Sequence, residues 1–413
     1  MPYMAGAPRS ALILSFETAR SRVQEHAESL RPRGKELVEL LKSAGCVLAE
    51  PLIADRDFPP FPRATRDGYA LHTSDLTHFP ARLNVIGEVK AGDLAAMQLE
   101  RGQAVSIMTG AAVPPGADAV VMVEFTARAG DQVTITKKIE TGGNIVPAGA
   151  EARRGEKLLV PGIRLDHASI GVAAAVGRSR LLVYSRPRIA VLSTGDEIVD
   201  IDVPPGPTQT RNSNSYSLAA QIRAAGGEPW LLPIAPDRAE RLRELIEEGL
   251  EADLLLLTGG VSMGNYDLVE PALAELGAEF FFTGVQIQPG RPVVFGRVPS
   301  RKKYFFGLPG NPVSTMVTFE LFARPMVEAL AGRLPGKLIF LRARLKSEIK
   351  SKTGLKRFLP AILSGEFEQA EVELAGWQGS GDIASVARAN CYAVIPADRE
   401  HIAAGEWIPV LIR

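Results

Sequence analysis

The run Asp253-Leu254-Leu255-Leu256-Leu257-Thr258-Gly259-Gly260-Val261-Ser262-Met263-Gly264 holds four consecutive leucines and then a loop of small and polar residues. An apolar run of this length, uninterrupted by polar residues, fits a strand buried on both faces, as in parallel sheets covered by helices. Ile189 to Ser193 repeats the pattern and runs into Thr194-Gly195-Asp196-Glu197. Around these two strands the chain alternates. Helices are expected over 215–225, 238–250, 268–276 and 313–330, with strands over 229–234 and near Phe280, Val293 and Phe305. Such alternation predicts a three-layer α/β domain with a mostly parallel sheet. In open sheets of that kind, ligands lie beyond the carboxyl ends of the strands.

Outward from this domain the pattern changes. Residues 16–30 and 35–43 read as two helices separated by Pro-Arg-Gly, and the first ten residues read as a loose leader. The run Phe58-Pro59-Pro60-Phe61-Pro62 is extended by proline sterics. From Leu83 to Val160 short β-rich runs alternate with Gly and Pro turns, and the tail from Leu338 to Arg413 does the same. Each reads as a small β domain.

Composition narrows the function classes. The 413 residues carry 47 Lys plus Arg against 47 Asp plus Glu, so no net basic field exists to hold nucleic acid or an anionic membrane. Local patches must bind any anion. Only Cys46 and Cys391 are present, too few for a disulfide framework or a four-ligand zinc site, and a reducing cytoplasm is expected. No apolar stretch is long enough to cross a bilayer, and no membrane partner is expected. The five histidines are scattered without metal-ligand spacing, and no Walker lysine, G-x-G-x-x-G or Ser/His/Asp order follows a strand.

The loops at the strand ends carry the candidate chemistry. Gly259 and Gly260 let backbone N–H groups approach an anion, and Thr194, Thr258 and Ser262 add hydroxyl donors; an ordinary strand-to-helix turn explains the same residues. Gly307-Leu308-Pro309-Gly310-Asn311-Pro312 opens a helix whose free N–H groups would face a ligand, with Asn311 also a candidate N-cap. Asp237 and Asp267, each followed by Glu three residues on, fit an acidic capping box as well as a ligand role. Glu197 lies in a turn and has no cap to form. Asp67 precedes Gly68 and suits a plain turn or a site. Carboxylates beside a phosphate-binding loop need a positive charge between them, which Mg2+ supplies while keeping most of its waters. Arg291, in Gln288-Pro289-Gly290-Arg291-Pro292, is a candidate for bidentate oxyanion binding or a surface charge.

Taken together, Phe58 to Phe61 with Asp67-Gly68-Tyr69-Ala70, Ile107-Met108-Thr109-Gly110-Ala111, Ser193 to Glu197, Thr258 to Gly264 and Gly307 to Ser314 resemble the signature segments of the MoeA family. These are the molybdopterin molybdenumtransferases, related to the gephyrin E domain, and the likeness runs from Phe16 to Arg413 in the family's order. The resemblance implies four parts: a helical linking region (11–57 and 148–187), a small β domain (58–147), a MogA-like three-layer α/β domain (188–332) and a C-terminal β-barrel (336–413). It further implies a homodimer in which the α/β domain of one subunit faces the β domain of the other, and a MogA-like adenylyltransferase as an upstream partner. The implied reaction inserts molybdate, a substrate, into adenylylated molybdopterin and releases AMP, with Mg2+. The substrate's dithiolene supplies the soft sulfur that molybdenum takes, so no protein cysteine is required.

By the same resemblance, Asp67, Glu197, Asp237 and Asp267 take catalytic positions, and the last three are the expected Mg2+ ligands. Thr109, Pro309, Pro312 and Ser380 match cleft residues, and the Thr258 to Gly264 loop is expected to hold phosphate. The chain departs from the family pattern at Arg63-Ala64-Thr65-Arg66, which brings two extra positive charges, at Gln288 in place of a lysine, at Glu151 in place of an aspartate, and at Leu355 in place of an arginine. Two other functions suit the same fold: a non-catalytic dimeric scaffold, and the adenylyltransferase step itself. A discriminating prediction concerns Asp267→Asn. As a catalytic group its loss slows AMP release by roughly a hundredfold or more; as a cap the change is near neutral, because Asn caps about as well as Asp.

Overall fold

The computed structural model describes residues 12–93, 96–260, 268–334 and 336–413. The expected leader, together with Ser262 and Asp267, lies outside the described residues. The α/β sheet has the order Glu228–Leu231, Arg188–Ser193, Leu254–Thr258, Lys303–Leu308, Val294–Val298, Glu279–Phe282. The first four strands are parallel; Val294–Val298 is antiparallel to both its neighbours, so Glu279–Phe282 again runs with the first four. Every residue of Leu254–Thr258 is buried, as the unbroken leucine run requires. Its alternating side chains feed two different layers. Leu254 and Leu256 pack with Leu218 and Ile222 of helix Ser213–Ala224 and with Val313 and Val317. Leu255 and Leu257 pack with Leu242, Leu245 and Ile246 of helix Ala239–Gly249 and with Leu273 of helix Val269–Glu275. The period of two along the strand therefore builds the three layers.

Helix Phe16–Ser29 starts at Ser15, whose hydroxyl accepts the N–H of Thr18 at 3.1 Å. Its buried stripe Phe16, Ala19, Val23 and Ala27 joins the first of those layers. The helix expected over 35–43 is not formed. Lys35–Glu39 is a strand paired antiparallel with Arg180–Tyr184, and only Leu40–Ser43 turns, as a single 3-10 turn. Lys, Glu and Leu favour helix only weakly, and a ladder with a partner distant in sequence overrides that preference. The closing helix is continuous in course, Pro312–Thr318 and Arg324–Leu330, but widens to a π turn over Phe319–Ala323. There the Leu321 carbonyl accepts a hydrogen bond from Arg20 Nη1 at 2.6 Å.

A second six-stranded sheet runs in the order Ala119–Met122, Gly68–Leu71, Gln103–Ile107, Ala81–Val89, Gln132–Ile135, Thr126–Ala129. In the tail, Lys356–Ser364, Glu371–Leu374, Phe340–Leu345, Trp407–Ile412 and Cys391–Ile395 pair in turn, and the last pairs back with the first. The result is a closed five-stranded barrel. A two-residue strand from the α/β domain, Ile287–Gln288, adds in parallel to Lys356–Ser364 and sets Gln288 opposite Arg357. Barrel residues Phe358, Tyr392 and Leu411 enter the same core cluster as Phe16 and the sheet. Among the described residues no helix is long and apolar enough to cross a membrane.

His26 sits on the seam between the N-terminal helix and the sheet. Its ring stacks on Phe281 at 4.1 Å, and Nδ1 lies 3.2 Å from the Tyr304 hydroxyl. Burial lowers its pKa below the ordinary 6.5; nearby Glu25 opposes this, while Arg22 and Arg297 add to it. The neutral ring is thus favoured in the fold. The stabilisation is complete above pH 6.5 and is lost as pH falls through the depressed folded value. Thermal denaturation followed from pH 7 to pH 5 is expected to drop further for the native chain than for His26→Phe.

Candidate functional site

A cavity of about 740 Å³ opens at the carboxyl ends of three parallel strands. Ser193 and Thr194 come from the first, Thr258, Gly259 and Gly260 from the second, and Pro309 to Pro312 follow the third. Glu197, Arg211 and the start of helix Ser213–Ala224 add to the wall, and Gly381 and Ile383 reach it from the C-terminal domain. Gly259 has φ +92°, and a Cβ there would stand 2.6 Å from the Thr194 carbonyl oxygen. Only glycine lets the two strand-end loops meet so closely. Gly195, at φ +133°, similarly leaves room for the Glu197 carboxylate, which a Cβ would approach within 2.4 Å.

Asn214 ties the wall together. Its Nδ2 donates to Thr258 Oγ1 at 2.9 Å and to the Gly310 carbonyl at 2.8 Å, so one side chain ties the helix start to two strand-end segments. Beneath it, Asn212 caps the helix by accepting the N–H of Ser215 at 3.1 Å, and Ser193 Oγ donates to Asn212 Oδ1 at 3.0 Å. Two buried atoms on this wall, Thr194 Oγ1 and Asn214 Oδ1, have no hydrogen-bond partner among the described residues. Orphaned groups of this kind are rare in a settled core and suit a ligand-binding wall. Asn212, Ser213 and Asn214 are absent from the sequence-based site. Their signal is the Asn-Ser-Asn-Ser run of cap-favouring residues, which begins three places before the expected helix start at Ser215.

A second cavity, of about 650 Å³, shares Pro292 and Asn311 with the first and lies between the α/β domain and the barrel. Arg291, Lys352 and Arg357 line it with Ser314, Ser380 and Trp377, and among the described residues no carboxylate does. The Ser380 carbonyl accepts the N–H of Val313 at 3.0 Å, fixing the barrel loop to the start of helix Pro312–Thr318. Asn311 occupies the N-cap position of that helix without a side-chain cap bond, which leaves its amide to the cavities.

The remaining sequence candidates lie apart. Asp67 and Thr109 lie in loops at the ends of strands Gly68–Leu71 and Gln103–Ile107 of the second sheet and line neither cavity. The Asp67 carboxylate accepts the Thr109 N–H at 2.6 Å, and bonds from that N–H and from the Thr109 hydroxyl lower its pKa. Asp237 does not cap: its helix begins at Ala239 behind Arg238. Instead the Asp237 N–H donates to the Asp196 carboxylate at 3.1 Å, and the Asp196 N–H reaches back to Asp237 at 3.5 Å. Among the described residues no group of three or more His, Cys, Asp or Glu is placed to hold a metal ion. Of the three expected Mg2+ ligands, Glu197 lines the first cavity, Asp237 is one loop away and Asp267 is outside the described residues.

Residues 14–177 match the MoeA N-terminal region (domain I and II), 190–329 a probable molybdopterin binding domain, and 342–412 the MoeA C-terminal region (domain IV). A molybdopterin molybdenumtransferase of Nostoc sp. is 34% identical over 386 residues, covering 91% of this chain and 88% of the relative. The chain belongs to the MoeA family. The Bacillus subtilis molybdopterin molybdenumtransferase is 30% identical, with 91% and 89% of the two chains covered. The crystal structure of the molybdopterin biosynthesis moeA protein from Pyrococcus horikoshii OT3 superposes with a TM-score of 0.78 at 28% identity, covering 97% of this chain and 100% of that one. The closed barrel and the parallel-sheet domain are thus MoeA architecture. Within this member of the family, Gly259→Ala is expected to lower stability by about 1–3 kcal/mol, read as a fall in the denaturation midpoint.

Proposed function

We propose that this chain is a molybdopterin molybdenumtransferase, which inserts molybdate into adenylylated molybdopterin with release of AMP. The observation that carries the reading is the junction, at Pro292 and Asn311, of a cavity walled by glycine loops, hydroxyls, Glu197 and Arg211 with one whose charged lining among the described residues is all cationic. The first offers hydroxyls, glycine loops and a helix start, suited to phosphate and to the N–H edge of a pterin. The second offers cations without carboxylates, suited to a tetrahedral dianion. A substrate held across Asn311 would present its dithiolene to the oxyanion. The reaction then needs one phosphoanhydride P–O bond broken by water or a molybdate oxygen, with AMP leaving, and two Mo–S bonds formed as one molybdate oxygen departs as water with the two dithiolene protons, molybdenum keeping its oxidation state. Positioning and charge neutralisation supply most of the acceleration.

The described residues fit Mg2+ shared with substrate phosphate better than a cation caged by protein. Glu197 is the carboxylate on the first cavity wall, and hexahydrated Mg2+ gives up few waters. Glu197 would hold the ion there, and the ion would neutralise phosphate charge. Asp67 and Thr109 enter the site from the second subunit of a homodimer, in keeping with their distance from both cavities of their own protomer. We place the enzyme in the cytoplasm, downstream of a MogA-like adenylyltransferase.

Purified protein given adenylylated molybdopterin, molybdate and Mg2+ is expected to release AMP, and excess chelator to stop it. Glu197→Gln and Asp67→Asn should each lose about a hundredfold or more in rate. Mixing the two inactive variants tests the shared cleft: subunit exchange should restore about a quarter of the native rate, since half the dimers then carry one intact site. No AMP from the native chain sinks the reaction; no recovery on mixing sinks the shared cleft alone.

A further inference from the structure

We propose that Arg357, held in place by Gln288, is the residue that binds the oxyanion in the second cavity, with Gln288 as its positioning residue. The assignment of that anion as molybdate rests on the function proposed above. Gln288 and Arg357 are direct partners across the two-residue ladder between the α/β domain and the barrel, and Arg357 Nε donates to Gln288 Oε1 at 2.8 Å. Arg357 Nη1 donates to the carbonyls of Lys352 and Leu355. Nη2 makes no hydrogen bond to the protein among the described residues. The guanidinium is therefore fixed in plane by three neutral acceptors and keeps one end unused.

Its charge is also unanswered. Arg357 is 9% exposed and forms no ion pair among the described residues, and neither do Arg291 and Lys352 on the same wall. An arginine stays charged in a protein, and a charge buried without a partner is costly unless a ligand completes it. The neighbouring lysine does not share the task. Lys356 points the other way along the strand, to Glu17 and over the Phe16 ring at 4.9 Å. Apolar neighbours Ile287, Leu355 and Trp377 keep the local dielectric low around the guanidinium. The chemistry on offer is a planar fork of donors with further cations and the Ser380 and Ser314 hydroxyls around it, which suits a compact tetrahedral dianion. Neutral Gln288 matters to this: it orients the arginine while leaving its charge free. A carboxylate at the same position would orient and neutralise it together.

The chemistry is shared by inorganic molybdate and by a phosphate group of the nucleotide, so calorimetric titrations at constant ionic strength use molybdate, inorganic phosphate and AMP in separate arms. Trp377 lines the cavity, and with Trp230→Phe and Trp407→Phe in the background its emission reports occupancy. Molybdate is expected to bind and change that emission, with phosphate and AMP weaker. Gln288→Glu should cut molybdate affinity by about tenfold or more while leaving the denaturation midpoint unchanged or raised. Arg357→Gln should lose binding as well, but Gln288→Glu decides the matter because it removes no packing. Native molybdate affinity in a folded Gln288→Glu protein overturns the proposal. Binding of phosphate or AMP but not molybdate, with the same sensitivity, overturns the assignment to molybdate. Sensitive molybdate binding in a protein that releases no AMP supports the residue assignment and sinks the reaction instead.

Discussion

Phe16 packs against Phe358 of the barrel with ring centroids 5.1 Å apart and against Phe322 of the closing helix at 6.2 Å, so one side chain joins three parts of the chain. The cluster around it runs without a break from helix Phe16–Ser29 through the sheet to Tyr392 and Leu411. Each such aromatic contributes about 1.5–3 kcal/mol by burial, and none can be exposed separately from its neighbours. The barrel is therefore seated on the α/β domain by core packing, not by a flexible tether. That seating sets the two-residue ladder that pairs Gln288 with Arg357, and it sets the second cavity beside the first.

The chemical division between the cavities follows from where charges are allowed. Among the described residues no acidic side chain lines the second cavity, while Glu197 and Arg211 both line the first, where a phosphate-bearing ligand would bring its own negative charge. The extra positive charges noted in the sequence are partly answered locally: Arg63 meets Glu151 at 3.0 Å, and Arg66 Nη1 donates to the Thr65 carbonyl at 3.0 Å. Two departures from the family pattern are thus one ion pair. An exposed pair of this kind adds little stability, but it takes Glu151 out of the pool of free carboxylates. The other two departures, at Gln288 and Leu355, meet around Arg357, since Leu355 supplies a carbonyl and Gln288 an amide oxygen to its guanidinium.

Legibility in the sequence tracked the range of the interaction concerned. Leu254 to Leu257 could be read as a buried strand because burial on both faces leaves an unbroken apolar run. The strand-end loops were legible for a similar local reason: glycine at Gly195 and Gly259 marks backbone that must come close to its neighbours. Lys35–Glu39 reads as helix from its own residues, because its strand partner, Arg180–Tyr184, is contributed by a remote segment and leaves no periodic signature. Asp237 resembled a cap from its spacing to Glu240, yet it bridges to Asp196 in another loop.

From the amino-acid order alone came the alternation that makes a three-layer domain, the position of its ligand loops at the strand ends, and the family segments that point to the chemistry. These depend on residues within a few places of each other, where periodicity and backbone sterics operate directly. Tertiary structure alone decided that Asn214 clamps Thr258 to Gly310, that Arg357 faces Gln288 with no counter-charge among the described residues, and that Asp67 lines neither cavity. Each of these depends on segments far apart in the chain, brought together only because their apolar faces must share cores.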